Sequence, residues 1–263
     1  MERIVLYRIG DVIKGRLAGP HEVMKNPRQW KNIQFDVTDS PVMMITWPIL
    51  LPEIEPESAQ SLLDLIGARY PFSPRYHELK QLAPELTFST SESEWIFFGG
   101  TFNPWHPGHQ ACLNLLPEDK ICFILPDRSP HKELRTLEPV FTTISLISKI
   151  KFGKNHYLAP TFLLENEKNP TVRWMEKLHQ ECPDKKLSLL LGFDSFKNLP
   201  TWTESNKLIP LLSTVYVVSR LEDDEEREAA LAPLQSISPN LQVVYLGRHG
   251  FEGISSTKLR KEK

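Results

Sequence analysis

Two histidines three positions apart, His106 and His109, lie in the run Gly99-Gly100-Thr101-Phe102-Asn103-Pro104-Trp105-His106-Pro107-Gly108-His109. The apolar residues before it, Ile96-Phe97-Phe98, read as a buried strand, and the two glycines let the backbone turn tightly. From Gln110 to Leu116 the residues are compatible with a helix. A strand, a Gly-rich turn and a helix start together make a cradle for an anion, because free amides and the positive helix end point at one place. Imidazoles there add hydrogen-bond donors for phosphate oxygens, so the chemistry to expect is that of a nucleotide. A zinc site would need a third ligand at a suitable spacing, and the sequence offers none.

A second segment near the C-terminus, Ile254-Ser255-Ser256-Thr257-Lys258-Leu259-Arg260, has its own physical reading. Small hydroxyl residues ahead of a helical stretch are natural N-caps whose N–H and O–H groups face an anion. Arg260, one turn further on, can reach the same phosphates with a forked donor. Standing alone, the segment would be an ordinary helix cap with a solvent arginine.

Together the two segments resemble the paired signatures GGTFxPxHxGH and ISSTxxR of the nucleotidyltransferases that carry an HxGH motif. The likeness is strongest to the nicotinate (or nicotinamide) mononucleotide adenylyltransferase family of bacteria. It implies that His106, His109 and Arg260 act on the triphosphate as the α-phosphate is attacked. Gly99, Gly100, Thr101, Phe102, Gly108, Ser255, Ser256 and Thr257 would then hold ATP. The block Gly192-Phe193-Asp194-Ser195-Phe196-Lys197-Asn198-Leu199-Pro200-Thr201-Trp202 resembles the family's GxDxxxxLPxW segment. By that resemblance Asp194 bonds a ribose and Trp202 stacks on the pyridine ring of the mononucleotide. Pro126–Lys132 resembles the family's PxxxPPHK loop, which puts His131 and Lys132 near the phosphates or the nicotinate. Thr171 matches one residue of a mononucleotide-contacting segment, and Arg220 matches an arginine near the adenine or phosphate site. Bland readings stand beside most of these: a helix cap for Asp194, a core aromatic for Trp202, solvated loop charges for His131 and Lys132 and a surface cation for Arg220.

Adenylyl transfer asks little covalent help of the protein, since the mononucleotide's phosphate is already a nucleophile. Catalysis rests on holding two polyanions in line and offsetting charge on the phosphorus and the leaving pyrophosphate. Mg²⁺ carried mainly by phosphate oxygens and waters is implied as well. The expected reaction joins AMP from ATP to nicotinate mononucleotide, giving deamido-NAD and pyrophosphate. Nicotinamide mononucleotide, another phosphorylated acceptor, or a non-catalytic ATP sensor or scaffold are the alternatives. The sequence departs from the family at Asn169–Met175, which keeps Thr171 but lacks the usual aromatic and second hydroxyl. Leu137–Phe141 lacks the arginine usual ahead of the next helix, and only three residues follow Arg260. The ATP half of the site is thus better supported than the mononucleotide half.

The elements that must position these residues alternate from Trp95 onward. Strands are predicted at Trp95–Phe98, Lys120–Leu125, Leu187–Leu191, Thr214–Val218 and Leu241–Leu246. Helices are predicted at His109–Leu116, Val140–Ile150, Pro170–Glu181, Thr203–Leu212 and Glu222–Ala232. Continuous apolar strands alternating with helices imply an α/β, doubly wound Rossmann-like parallel sheet over residues 94–263. Residues 1–93 form an additional N-terminal α+β region of unknown role, with strand-like pieces at Ile4–Tyr7, Ile33–Val37 and Val42–Trp47 and a helix at Glu57–Ala68. The polar run Thr87–Glu94 reads as a linker, and Glu222–Glu226 as a solvated helix start. A composition of 40% hydrophobic and 24% charged residues is that of a globular protein, and a net charge of −2 gives no drive toward nucleic acid or an anionic membrane. The charged N-terminus lacks a signal peptide's apolar core, and the three cysteines show no CxxC spacing. A cytoplasmic protein with reduced thiols is expected.

Overall fold

The computed structural model describes residues 3–9, 12–18, 67–82, 84, 87–127, 142, 146, 149–163, 169–254 and 259. Strands β1 (Arg3–Ile9) and β2 (Val12–Ala18) pair antiparallel. Helix α1 (Tyr76–Leu82) precedes β3 (Glu94–Gly100), α2 (Pro107–Asn114), β4 (Ile121–Pro126) and β5 (His156–Leu158). Then come α3 (Thr171–Glu181), β6 (Lys186–Gly192), α4 (Phe193–Lys197), α5 (Ser205–Leu211), β7 (Leu212–Val218), α6 (Asp224–Ile237) and β8 (Gln242–Gly247). The predicted pieces at Ile33–Val37 and Val42–Trp47, and most of Glu57–Ala68, lie outside the described residues.

Strands β3 to β8 form one sheet in the order β5-β4-β3-β6-β7-β8, every neighbouring pair parallel. Counted from β3 this is 3-2-1-4-5-6, the doubly wound order, and its direction reverses between β3 and β6. Alternation along β3 explains why the sheet is covered on both faces. Trp95 and Phe97 join a core with Phe123, Trp174 and Leu189, whereas Ile96 and Phe98 join one with Leu113, Ile124 and Leu190. All six residues of β4 are buried. Each phenylalanine or leucine buried this way contributes about 1.5–3 kcal/mol.

Three departures from the sequence reading have plain causes. Strand β5 is only three residues long and sits in a polar loop, too short to show a period. Helix α6 runs on to Ile237 through Pro233, because a proline costs one backbone bond and the buried Ala230 and Leu234 still anchor the helix. The Thr87–Glu94 stretch is no free linker. Phe88 is buried against Phe123 and Tyr157, its amide bonds to Arg69 O at 2.8 Å, and the Ser93 carbonyl accepts from the Lys186 amide at 2.7 Å. Tyr70 and Phe72 enter the same core, and the Tyr70 hydroxyl donates to Leu158 O at 3.0 Å. Tyr70, Phe72 and Phe88 thus share one core with residues after position 93.

Candidate nucleotide site

The carboxyl ends of β3, β6 and β7 open onto a cleft of about 320 Å³. This is the crevice that the reversal of strand order leaves free for a ligand. Its floor is built from the β3–α2 turn. Phe102 adopts a left-handed backbone (φ 45°) that tucks its ring inward, at 5.0 Å from the His109 ring and 5.1 Å from Phe98. A side chain at Gly100 would put its Cβ 2.8 Å from that ring, so glycine is required there by contact. His106 is the N-cap of α2 with Pro107 in the first turn, and its carbonyl accepts from the His109 and Gln110 amides. A Cβ on Gly108 would sit 3.1 Å from the His106 ring and 3.6 Å from Phe251 O. Glycine there lets the helix end, the imidazole and the loop after β8 meet.

The two expected histidines are brought face to face, with ring centroids 3.7 Å apart and planes 25° from parallel. Their Nδ1 atoms are buried without a hydrogen-bond partner among the described residues. Burial pushes the His109 pKa down to about 3, with His106 adding to the effect. Burial also lowers that of His106, helped by the Arg220 and His249 charges. Both rings are therefore neutral at physiological pH, each with one donor and one acceptor nitrogen. Cys112 lies in the same wall, and burial pushes its thiol up to about 12, so it is an inert lining group.

Arg220, just past β7, lines the cleft and pairs at 2.8 Å with Asp194, which follows the neighbouring strand β6. Both partners are partly exposed, so the pair orients the guanidinium more than it stabilises the fold. The turn holding Arg220 is fixed by Glu222, whose carboxylate accepts from the Arg220 amide at 2.6 Å and from Arg227. Glu222 is thus buried, unlike the solvated helix start expected of it. That description fits its neighbours Asp223 to Glu226, where Asp223 caps α6 by accepting from the Glu226 amide at 2.8 Å.

Gly99, Gly100, Thr101, Phe102, His106, Gly108 and His109 all line the cleft. Thr171, at the start of α3, is not in its wall, and neither is Trp202, which packs half-buried against the core on the other face of the sheet. Lys132, His131, Ser255, Ser256, Thr257 and Arg260 lie outside the described residues. Among the lining residues that the sequence did not mark as site residues are Ser195, His249 and Phe251. The glycines at 247 and 250, both with positive φ, were the available signal for a tight turn carrying His249.

A doubly wound sheet with a Gly-rich turn, a helix end and paired imidazoles at its reversal point defines a nucleotide-handling enzyme. The chain belongs to the cytidylyltransferase-like family, whose model matches residues 97–262. It is similar to a protein of Thermomicrobium roseum described as "probable nicotinate-nucleotide adenylyltransferase", with 32% identity over 43% of this chain and 56% of the relative. A protein of the same description from Methylacidiphilum infernorum is 25% identical over 65% of this chain and 81% of its own length. The chain thus spans little more than half of the first relative and about four-fifths of the second. Among solved structures, nicotinic acid mononucleotide adenylyltransferase of Plasmodium falciparum complexed with NaAD aligns at TM-score 0.49 and 19% identity, over 65% of this chain and 83% of that one.

Proposed function

We infer that this enzyme transfers AMP from ATP to nicotinate mononucleotide, releasing pyrophosphate and deamido-NAD, as a step in making NAD in the cytoplasm. The observation that carries the reading is the pair of neutral, unpartnered imidazoles stacked at the positive end of α2, in the crevice of a nucleotide-binding sheet. Family membership and the relatives' descriptions support it.

The chain's own groups account for the chemistry. The Gly99–Thr101 backbone and the α2 end hold the triphosphate, and His106 and His109 donate to oxygens whose charge grows as the α-phosphate is attacked. Arg220, steadied by Asp194 and by Glu222 through its amide, offsets further negative charge. In this reading Ser255, Ser256, Thr257 and Arg260 contribute to binding ATP, and Lys132 adds a cation. The cleft wall contains imidazoles, a guanidinium and backbone amides, but no carboxylate among the described residues. Such donors suit phosphate oxygens, so Mg²⁺ would be held mainly by the phosphates of ATP and would lower the charge of the polyphosphate.

The test is direct. Purified protein with Mg²⁺ and ATP should release pyrophosphate when given nicotinate mononucleotide; failure with nicotinate and nicotinamide mononucleotides alike would sink the proposal. A second reading has its own support: Trp202 and Thr171 do not line the cleft, which favours a different phosphorylated acceptor. A panel of phosphorylated acceptors assayed by pyrophosphate release separates the two.

A further inference from the structure

The turn after β8 is more rigidly built than a connection needs to be. Gly247 and Gly250 take positive φ values of 88° and 77°. The Glu252 carboxylate accepts from the His249 and Gly250 amides at 3.2 and 3.0 Å, and the Phe251 carbonyl accepts from the Ile254 amide at 3.0 Å. Inside this frame the Phe251 amide donates to His249 Nδ1 at 2.9 Å. Glu252, whose nearest oxygen is 4.0 Å from the same nitrogen, is already engaged by the two amides.

A ring whose Nδ1 accepts an amide proton carries its own hydrogen on Nε2 in the neutral form. No hydrogen bond among the described residues uses that Nε2, and the His249 side chain, only 9% exposed, lines the cleft with His106, His109 and Arg220. The Phe251 carbonyl faces Gly108, which seats the whole turn on the end of α2.

We propose that His249 is a third imidazole of the nucleotide site, donating from Nε2 to a phosphate oxygen of the bound polyphosphate. Closing the turn requires only the Nδ1 acceptor; the second nitrogen, held in one tautomer at the cleft wall, is what a polyanion would use. This rests on the nucleotidyl-transfer reading above.

The test separates the two ring nitrogens. His249→Asn keeps an acceptor near Nδ1 and removes the donor at the Nε2 position, whereas His249→Gln places a donor near Nε2 and gives up the acceptor at the Nδ1 position. Calorimetry with ATP and Mg²⁺ should show about a tenfold weaker Kd for His249→Asn, partial recovery in His249→Gln, and less than a twofold change in the mononucleotide KM. In the wild-type protein, tripolyphosphate should shift the His249 ring resonances in imidazole nitrogen NMR spectra. A folded His249→Asn variant with unchanged ATP affinity overturns the proposal. Should both variants fail to fold, unmoved His249 resonances at saturating tripolyphosphate overturn it equally. Wild-type protein that binds tripolyphosphate at His249 yet releases no pyrophosphate would defeat the reaction assigned above and leave this contact standing.

Discussion

The two edges of the parallel sheet treat polar groups in opposite ways. Toward the amino ends of the strands, Glu94 accepts from Lys120 at 2.8 Å, from the Ser188 hydroxyl at 2.8 Å and from the Tyr216 hydroxyl at about 3.1 Å. These bonds and the nearby ammonium hold its pKa below the usual carboxylate range although burial opposes them. At the carboxyl edge the His106 and His109 Nδ1 atoms are buried with nothing to bond among the described residues, and the helix end faces open space. At the first edge the Glu94 carboxylate is fully engaged and serves the fold. The other leaves donors and acceptors idle at a cost of about 1–3 kcal/mol each, which a ligand can repay.

The sharpest way to break that contrast is His109→Ala. Pyrophosphate release should fall about a hundred- to a thousand-fold, as when one charge-stabilising donor is lost, while thermal unfolding changes far less. An activity near wild type would mean that the idle imidazole is only a packing group. The mirror experiment is Glu94→Ala, expected to cost about 2 kcal/mol in urea unfolding because Lys120, Ser188 and Tyr216 lose their common partner. Turnover per folded molecule should be unchanged; a loss of turnover would erase the division between edges.

Acid should probe the same asymmetry on a smaller scale. His109 has a folded pKa of about 3 against an ordinary 6.5. Between these values the unfolded chain takes up a proton that the folded ring refuses. Its contribution is therefore complete above pH 6.5 and is lost as pH falls, by about 1.4 kcal/mol per pH unit, until the slope ends near the folded value. Unfolding measured from pH 7 to pH 5 should show this slope, and His109→Asn should flatten it. The smallest effect belongs to Asp194→Asn, which removes the charge of a partly exposed pair and should shift stability by under about 1 kcal/mol. A change in ATP or mononucleotide KM beyond that size then reports contact with ligand.

The contrast also explains which parts of the molecule could be read from sequence. Strands such as Ile121–Pro126, buried along their whole length, print an unbroken apolar run, and the predicted Lys120–Leu125 matches them closely. The cradle could be read because its constraints are local: Gly100 against Phe102, and Gly108 against His106, act across one or two residues. His249 and Ser195 reach the cleft from the ends of other strands, so their relation to His106 is set by the strand order and leaves no trace in spacing. Glu222 was misread for a similar reason. In sequence it is the first of five acidic residues, and only the fold of the turn distinguishes the one that holds Arg220's amide.

The belt of Tyr70, Phe72 and Phe88 against Phe97, Phe123 and Trp174 has a practical consequence. A fragment begun at Glu94 would keep every residue of the Gly-rich turn, yet it would uncover one flank of the sheet as a slab of bare aromatic rings. Such a surface recruits other molecules. A fragment cut at that motif boundary should therefore associate with itself more than the longer chain does, which light scattering of the two would check.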